Sequence, residues 1–274
     1  MARYAFLGPE GTYSEAALLS LNLPDVEPIA CATTEEVFLA VESGKAEYGV
    51  VPIENSVEGS VNATLDALAF DFDLMIEGEI VLDIHHALVA APGVGIGDIT
   101  GIVGHPQATA QCRKWLARNL SGRPITAANS NAEAVRLAVA TPGLAAVGPS
   151  LAADLYGGVV LESDVEDFAG NQTRFLVIGR EHASRTGRDK TSLALFLHRD
   201  KPGALLMILS EFAYGEINLT KLQSRPTKRA LGDYMFFVDL EGHVEDENVQ
   251  LALNCLRLKL RTVKVLGSYP RARS

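Results

Sequence analysis

The sequence predicts an α/β protein in two parts: a large unit with mostly parallel, doubly wound sheets, and then a small α+β unit. The chain has 274 residues, and at about 150 residues per domain this length favours two domains. In residues 1–180, short apolar runs alternate with stretches of helical period, as in doubly wound sheets. A polar, charged segment at 181–190 is predicted to be a linker, and the order of elements changes after it.

The large unit is predicted to form two lobes. In the first lobe we predict strands at 4–7, 26–30 and 48–53 and helices at 14–19 and 34–41. An apolar-rich stretch at 79–91 is expected to carry the chain into a second lobe. That lobe has predicted strands at 102–103, 125–127 and 144–147 and helices at 107–119 and 132–140, and a return strand at 173–178 then brings the chain back to the first lobe. The lobes are therefore placed at about 1–77 with 160–180, and at 78–159, with a ligand cleft between them.

The small unit is predicted at 191–274, with the element order βαββαβ. Its strands are expected at 193–197, 217–222, 234–240 and 263–266, and its helices at 203–212 and 248–258. This order is typical of a small ferredoxin-like α+β sandwich. An exposed sheet edge in such a unit leads us to expect at least a dimer.

Charge and composition exclude several classes of protein. The net charge is −10; residues 1–180 carry 9 Lys+Arg and 23 Asp+Glu, and residues 181–274 carry 15 and 11. A chain this acidic is not expected to bind nucleic acid. No apolar run reaches the ~20 residues that a membrane span needs. The start of the chain turns polar too soon for a signal peptide, so we expect a cytoplasmic protein without a membrane partner.

Cysteines and histidines do not indicate a metal site. The three cysteines are scattered, which excludes a disulfide framework and most cysteine-based metal sites. His85 and His86 are adjacent, so on a strand they point to opposite faces. We therefore expect no metal.

The most distinctive segment is residues 170–178. It places three polar residues, Asn171, Gln172 and Thr173, at the mouth of a very apolar strand. These residues supply uncharged hydrogen-bonding groups, and Arg174 supplies a forked cation for a carboxylate. The alternative is a turn that caps the strand and leaves Arg174 in solvent.

Polar side chains also follow the carboxyl end of a second predicted strand, which is where open α/β sheets bind ligands. Glu54, Asn55 and Ser56 are the candidates there. Gly59 and Ser60 are then expected to open a helix whose amides can hold an anion. An Asx turn followed by a helix cap is the commoner use of such residues and stays open.

Two further segments follow strands in the same way. In residues 104–112, His105 and Gln111 can face a cleft, although a lone histidine in such a turn is more often structural. Cys112 is expected in the core. In residues 7–15, glycines let backbone amides approach a ligand, but the pattern is neither a P-loop nor a dinucleotide fingerprint.

Together these four segments resemble the prephenate dehydratase family. The stretches FLGPEGTYSEAAL, VPIENSVEGSV, GHPQATAQC and NQTRFLVIG occur in the family's order and approximate spacing, and residues 202–226 resemble the GALV and ESRP elements of an ACT regulatory domain. The resemblance implies a two-lobed, periplasmic-binding-protein-like catalytic domain at 1–180 and an ACT domain at 191–274. It also implies conversion of prephenate to phenylpyruvate, water and carbon dioxide in phenylalanine biosynthesis, without a cofactor. Two positions depart from the family: Gln223 replaces the acid of ESRP, and Gly104 replaces a common serine.

The resemblance implies roles for the site residues. Thr173 is expected to donate toward the leaving hydroxyl, with Glu54 or His105 as a proton source. Arg174 is the obvious carboxylate anchor, yet in a strand its side chain points away from that of Thr173. The expected set is catalytic Thr173, Glu54, Asn55 and His105, and substrate-binding Gln111, Arg174, Ser60, Thr12 and Gln172. Because the bulk charge repels a dianion, local amide dipoles and helix starts are expected to bind it.

The resemblance also implies feedback inhibition by phenylalanine, bound at an interface between subunits of a homodimer or homotetramer. Gly203 permits close approach, the following residues open a helix whose amides suit a carboxylate, and Asn218 can hold an amino group. A simpler interpretation is that Gly203 only starts a helix and that Asn218 pairs with backbone. The expected effector residues are Gly203, Ala204, Leu205, Leu206, Asn218, Leu219, Ser224, Arg225 and Pro226.

Two other functions stay open. One is an arogenate dehydratase, since arogenate differs from prephenate only by an amino group in place of the side-chain keto group. The other is a non-catalytic protein that senses an amino acid, against which the intact Thr173, Arg174 and Phe175 triplet argues.

Overall fold

The computed structural model describes residues 1–228 and 233–272, which contain two β-sheets with helices packed on them. The strands are β1 (Ala2–Leu7), β2 (Val26–Cys31), β3 (Tyr48–Asn55), β4 (Gly59–Ser60), β5 (Met75–Asp83), β6 (Ala87–Ala90), β7 (Gly101–Gly104), β8 (Ile125–Ala127), β9 (Leu144–Gly148), β10 (Val159–Glu162), β11 (Gln172–Gly179), β12 (Asp189–Phe196), β13 (Leu219–Pro226), β14 (Tyr234–Glu241) and β15 (Thr262–Pro270). The α-helices are α1 (Tyr13–Ser20), α2 (Thr34–Glu42), α3 (Asn62–Asp66), α4 (Pro106–Gln111), α5 (Arg113–Asn119), α6 (Asn131–Ala140), α7 (Ser150–Tyr156), α8 (Ala204–Tyr214) and α9 (Glu247–Lys259). A π-helical segment (Ala67–Asp71) follows α3, and a short 3-10 helix (Ile96–Asp98) precedes β7.

Both sheets mix parallel and antiparallel strands. The first has ten strands, in the order β13, β14, β12, β15, β5, β11, β3, β1, β2, with β4 paired to β3. The second has five, in the order β10, β6, β9, β7, β8. Parallel pairing is confined to β1 with β2 and β3, to β7 with β8 and β9, and to one contact between β15 and β5. The α/β class is therefore confirmed, but the sheets are less parallel than predicted.

The chain crosses between the two sheets twice. It leaves the first sheet after β5 ends at Asp83 and enters the second at Ala87. It returns between Glu162 and Gln172. Both crossings lie a few residues later than the predicted boundaries near 77 and 160. The reason is that the apolar stretch 79–91 belongs to two strands of different sheets, separated by a polar break at 83–86.

The C-terminal strands continue the first sheet. β15, β12, β14 and β13 are neighbours in that order and pair antiparallel, as the βαββαβ order predicts. Gly267 of β15 pairs with Ile76 of β5. A Cβ at position 267 would collide with the Ile76 backbone, so this approach of the two units requires glycine. β12 already begins at Asp189, which shortens the predicted linker.

Several element boundaries differ from the prediction. The helix predicted at 107–119 is divided into α4 and α5, because the backbone at Cys112 (φ −105°, ψ 12°) departs from helical values. Gly59 and Ser60 form the short strand β4 rather than opening a helix, and α3 starts at Asn62. Among the helices at 1–228 and 233–272, none has the length and apolar character that crossing a membrane requires.

Helix caps fix two turns of the large unit. The Thr33 side chain accepts a hydrogen bond from Glu36 N at the start of α2, and that of Ser130 accepts one from Glu133 N at the start of α6. Ser130 also lies beside Asn129 and Asn131, directly after β8. The cap therefore fixes a polar turn at the carboxyl edge of the second sheet.

Candidate active site

A cleft of about 500 Å³ lies between the two sheets. Its walls come from the carboxyl ends of β1 and β3, the start of β11, and the turns that follow β7 and β8. The lining residues with polar side chains are Thr12, Tyr13, Ser14, Asn55, Glu58, Ser60, His86, His105, Gln107, Gln111, Asn129, Ser130, Asn131, Asn171 and Thr173. The cleft therefore occupies the edge at which the sequence places its ligand-binding turns.

Thr173 faces this cleft from the start of β11. It pairs in register with Asn55 at the end of β3. Its Oγ1 accepts a hydrogen bond from Asn55 Nδ2 at 2.8 Å. Because this bond occupies an acceptor position, the Thr173 hydroxyl proton is available for donation.

Asn55 is held on both sides of its amide. Its Oδ1 accepts from the backbone N–H groups of Val57 and Glu58, both at 2.9 Å, which is the predicted Asx turn. Its Nδ2 lies 2.7 Å from Asn171 Oδ1, in addition to its bond to Thr173. The structural and functional interpretations of this residue are thus compatible, because the turn orients the amide toward Thr173.

Gln111 extends the polar network into the second sheet's side of the cleft. Its Oε1 accepts from Asn171 Nδ2 at 3.0 Å and lies 3.0 Å from His86 Nε2. Its Nε2 donates to Glu58 Oε1 at 3.0 Å. His86 Nδ1 in turn lies 2.8 Å from the Tyr13 hydroxyl. The network therefore joins Gln111 to Asn171 and His86, and each of these two residues lies in one of the two crossings between the sheets.

His105 also lines the cleft, as the residue that caps α4. The glycine before it is accommodated by Thr109, whose methyl group fills the space that a Cβ at position 104 would enter. The Thr109 hydroxyl also donates to the Pro106 carbonyl at 3.1 Å. Gly104 and Thr109 are therefore complementary, which explains how this chain tolerates the departure from serine.

The cleft carries almost no formal charge. Within residues 1–228 and 233–272, its lining includes no lysine or arginine, and Glu58 is the one acid. The N-terminal ends of α1, α3, α4 and α6 border it instead. Helix N-termini present free N–H groups and partial positive charge, which favours a bound anion.

Glu54 and Arg174 lie outside the cleft, contrary to the expected catalytic and carboxylate-binding roles. In their strands, Glu54 and Arg174 are each next to a residue that lines the cleft. Their side chains therefore project from the opposite face of the sheet. Arg174 Nη1 is 2.9 Å from Glu54 Oε1, its Nε is 2.9 Å from Glu79 Oε2, and its Nη2 is 2.7 Å from Asp239 Oδ2. Arg174 therefore joins the large unit to the C-terminal unit.

The charged groups around Glu54 and Arg174 determine the pKa values of both side chains. Burial raises the pKa of Glu54, but Lys221 and Arg174 outweigh it and leave that pKa below its usual value. Burial lowers the pKa of Arg174, but the Asp239 carboxylate and its neighbours outweigh it and raise that pKa. Glu54 is therefore ionised at neutral pH, and it cannot supply a proton to the cleft.

Of three other residues predicted to bind the substrate, one lies outside the cleft and two line it. Gln172 is exposed and donates to Asp83 Oδ1 at 2.8 Å, outside the cleft. Thr12 caps the start of α1 in the cleft wall, and its hydroxyl donates to the Leu7 carbonyl at 3.0 Å. Ser60 lines the cleft, and its hydroxyl donates to Gln223 Oε1 at 2.6 Å. Ser60 therefore connects the cleft to β13 of the C-terminal unit.

The predicted effector residues do not form one pocket within a single chain. Gly203 adopts φ +85° at the start of α8, where Ala204 is buried, Leu205 is half-buried and Leu206 is exposed. Asn218 and Leu219 come after the other end of this 11-residue helix, which is about 16 Å long at 1.5 Å per residue.

The remaining effector candidates lie at the far end of β13. Ser224 and Pro226 are exposed there. The Arg225 side chain is occupied, since its Nη2 donates to Asp66 Oδ2 at 2.6 Å and its Nη1 donates to Asn62. Within one chain, the Arg225 side chain therefore binds α3 of the large unit.

His86, Tyr13 and Asn129 are cleft residues that the sequence interpretation missed. Asn129 lies just beyond a predicted strand, in the same way as Asn55 and His105. This pattern could have identified it from the sequence as a cleft residue. For His86, the sequence offers only its position next to His85, which argues against a shared metal site. Its neighbour His85 is exposed and lies with Asp164 and Glu166, so that three ligand atoms fall within 4.8 Å, the one group of this kind in the described ranges.

The fold and the cleft define an α/β protein with an almost uncharged, ligand-sized cleft between two sheets. The family model for prephenate dehydratase matches residues 4–183. The chain belongs to the prephenate dehydratase family.

Relatives resemble the chain over nearly its whole length. It is 42% identical to a prephenate dehydratase of Mycobacteroides abscessus, over 99% of this chain and 91% of that protein. It is 43% identical to a bifunctional chorismate mutase/prephenate dehydratase of Aquifex aeolicus, over 98% of this chain and 74% of that protein. A crystal structure of prephenate dehydratase from Arthrobacter aurescens in complex with L-Phe superposes with a TM-score of 0.91, at 39% identity, over 98% of this chain and 90% of that one.

Proposed function

We propose that this chain converts prephenate to phenylpyruvate, carbon dioxide and water. The observation that carries the proposal is the Thr173 hydroxyl, which accepts from Asn55 at 2.8 Å and lines a cleft bordered by helix N-termini, so that its own proton is available to a bound substrate. Membership of the family supports the choice of substrate.

The reaction needs one proton and creates no net oxidation. The bond from the ring to its carboxylate breaks and carbon dioxide leaves. The released electron pair enters the ring as it becomes aromatic, and the ring's bond to the hydroxyl oxygen breaks. That oxygen takes up a proton and leaves as water.

Thr173 is proposed to donate a hydrogen bond to the departing hydroxyl. A threonine hydroxyl is too weak an acid to give up its proton for good, so Thr173 orients the leaving group or relays a proton. Among the predicted donors, His105 lines the cleft whereas Glu54 does not. We therefore assign the proton supply to His105 or to solvent, and not to Glu54.

The helix N-termini are proposed to bind the carboxylates. The residues at the starts of α1 and α6, Thr12 to Ser14 and Asn129 to Asn131, both line the cleft and supply neutral polar groups. Such groups hold the side-chain carboxylate without strongly stabilising the carboxylate that leaves. Asn55 and Gln111 complete the binding surface from the two sides.

The activity is tested by incubating the purified chain with prephenate and following phenylpyruvate by its absorbance in alkali. We expect turnover with prephenate, and a loss of about 10²–10³-fold in kcat in Thr173→Ala. A higher kcat/KM with arogenate would instead assign the chain as an arogenate dehydratase. Binding of either compound without turnover would support a non-catalytic sensor and contradict the proposal.

We further propose that residues 1–180 form a periplasmic-binding-protein-like catalytic domain and that residues 191–274 form an ACT regulatory domain that binds phenylalanine. The strand order β15, β12, β14, β13 and the positive φ of Gly203 support the second assignment. So does the related A. aurescens structure, which contains L-Phe. A cytoplasmic location stays a prediction from the sequence.

The separation of Gly203 from Asn218 favours an effector site that two chains share. The helical face of the C-terminal unit exposes Leu206, Tyr214, Leu251 and Leu258, which supports association through this unit. We therefore propose at least a homodimer. Sedimentation of the full chain with and without phenylalanine, together with calorimetry of phenylalanine binding, tests it. If a monomer binds phenylalanine as tightly as the dimer does, the effector site is not shared between two chains and the proposal is contradicted.

A further inference from the structure

His86 occupies the first crossing between the two sheets, between the end of β5 and the start of β6. Its side chain is only 3% exposed. Buried ring nitrogens need hydrogen-bond partners, because leaving them unpaired is costly. The partners of His86 therefore indicate what the residue does.

One partner comes from each side of the cleft. Nδ1 is 2.8 Å from the hydroxyl of Tyr13, in α1, which packs on the first sheet. Nε2 is 3.0 Å from Oε1 of Gln111, in α4, which packs on the second. The imidazole thus bridges the two walls of the cleft at the point where the chain passes between them.

The network fixes which nitrogen carries the proton. Glu58 accepts from Gln111 Nε2 at 3.0 Å, so the Gln111 oxygen must face His86. A carboxamide oxygen only accepts, and His86 Nε2 must therefore carry a hydrogen. In the neutral ring, Nδ1 is then an acceptor, and it shares the single hydroxyl proton of Tyr13 with the His85 carbonyl.

The contact with Gln111 persists if the ring gains a proton. Burial lowers the pKa of His86 despite the Gln111 hydrogen bond and the nearby Glu166 carboxylate, so the ring is neutral at neutral pH. The Tyr13 hydroxyl is also 2.6 Å from the His85 carbonyl. A proton on Nδ1 can therefore be donated to Tyr13 while Tyr13 donates to that carbonyl. Nε2 keeps its hydrogen in both forms.

Gln111 passes this constraint to the reacting hydroxyl. Its Oε1 also accepts from Asn171 Nδ2 at 3.0 Å. Asn171 Oδ1 accepts from Asn55 Nδ2 at 2.7 Å, and that same nitrogen lies 2.8 Å from Thr173 Oγ1. A shift of His86 is thereby transmitted through three amide groups to the hydroxyl in the cleft.

We propose that His86 is a positioning residue for the dehydration. Its Nε2–H fixes the Gln111 carboxamide and, through the amide network, the direction of the Thr173 hydroxyl. The inference rests on the proposed dehydratase activity. In this role His86 transfers no proton to the substrate, which distinguishes it from a general acid.

Two amide variants separate the two ring nitrogens. In His86→Gln the side-chain amide reaches the place of Nε2, whereas in His86→Asn it reaches only that of Nδ1. We expect His86→Asn to lose ~10²-fold in kcat/KM, mainly in kcat, because the reacting hydroxyl is displaced. We expect His86→Gln to stay within about tenfold of the unmodified chain, because the donor to Gln111 is restored.

His85→Gln is the matched control. His85 is the neighbouring, exposed histidine, whose Nδ1 is 2.9 Å from Asp164 and 3.0 Å from Glu166. Its side chain contacts these two carboxylates rather than Tyr13 or Gln111, and its carbonyl is unaffected by the substitution. Glu166 keeps its bond from the His86 backbone N–H at 2.9 Å. We expect its kcat to change by less than about twofold, since no group at the reacting centre moves. Circular dichroism confirms that all three variants are folded.

Three outcomes would overturn the inference. They are full kcat in His86→Asn, equal losses in His86→Gln and His86→Asn, and disappearance of the acidic limb of the kcat–pH profile in His86→Gln. The third would make His86 a proton donor. A lack of turnover in the unmodified chain contradicts the proposed function instead. The ¹⁵N shifts of the His86 ring test the network independently of activity, and an Nδ1–H tautomer there would overturn it.

Discussion

Thr173 and Arg174 are neighbours in β11 whose side chains serve opposite faces of the sheet. The Thr173 hydroxyl lies in the cleft, bonded to Asn55, while the Arg174 guanidinium is buried among Glu54, Glu79 and Asp239. The peptide bond between them therefore connects the proposed reacting centre directly to the C-terminal unit. One strand carries the proposed reacting hydroxyl on one face and the link to the C-terminal unit on the other.

Thr173→Ala is expected to lower kcat about 10²–10³-fold, because it removes a donor from the departing hydroxyl. The fold should persist, since the half-buried side chain leaves no large cavity. Thr173→Ser is the matched control, because it keeps the hydroxyl that Asn55 orients, and it should retain most of the activity. Steady-state kinetics with prephenate measures both. Near-normal turnover in Thr173→Ala would refute the assignment.

Arg174→Met is expected to destabilise the protein by about 3–5 kcal/mol, because it leaves buried carboxylates without their cation. Asp239 would keep only Ser192 and Glu79 would keep Lys190. Arg271→Met is the control: Arg271 pairs with Glu241 at the half-exposed surface, where a salt bridge is worth at most about 1 kcal/mol. Urea unfolding compares the two. Equal losses would show that the buried cluster does not stabilise the junction.

The fold was predictable to the extent that it depends on periodicity. The runs of apolar residues predicted the βαββαβ order of residues 191–274 and most of the strands and helices of the large unit, but not α3, α7 or β10, and they gave β5 and β6 as one apolar stretch. Periodicity cannot reveal where neighbouring strands belong to different sheets, and the crossing at 84–86 was therefore misplaced. The pairing of Gly267 with Ile76 joins residues far apart in sequence, and it has no local pattern at all.

The site was predictable where residues follow strand ends. Asn55, Gln111 and Thr173 lie together in the cleft, as the turns at strand ends suggested. Alternation along a strand already placed Arg174 opposite Thr173, and the same rule applied to Glu54 and Asn55 would have removed Glu54 from the cleft. The partners of His86 could not be predicted in this way. They come from α1 and α4, and the approach of these helices depends on how the two sheets face each other.

Gln223→Met is expected to weaken inhibition by phenylalanine while leaving kcat nearly unchanged. Gln223 accepts from the Ser60 hydroxyl at 2.6 Å, which joins the strand of the proposed effector residues to the cleft wall. Methionine keeps the length of the side chain but offers only a weak acceptor. The concentration of phenylalanine that halves the rate should rise about tenfold, a typical loss of coupling.

Gln223→Glu is the control for that experiment. A carboxylate also accepts from Ser60, and Lys221, 3.3 Å from the same hydroxyl, lies close enough to offset its charge. Inhibition should therefore be retained in this variant, which restores the acid found in the family's ESRP element. Unchanged inhibition in Gln223→Met would show that coupling bypasses this contact.

Asp66 should make the junction between the units sensitive to acid. Burial raises the pKa of Asp66, but hydrogen bonds from Arg225 and Lys228 outweigh it and leave that pKa below its usual value. In the unfolded chain the pKa is about 3.9. The unfolded state therefore takes up this proton first as the pH falls. The stabilisation is complete above about pH 3.9 and is lost as the pH falls from there through the folded-state pKa.

Asp66→Asn isolates this contribution, because the variant cannot titrate at position 66 while every other carboxylate still does. We expect the free energy of unfolding of the unmodified chain to exceed that of the variant by a constant amount near neutral pH. The difference should shrink below about pH 4, at up to about 1.4 kcal/mol per pH unit. Urea unfolding at a series of pH values measures it. Two curves that stay parallel down to the acid limit would show that the ion pair of Asp66 with Arg225 adds nothing to the junction.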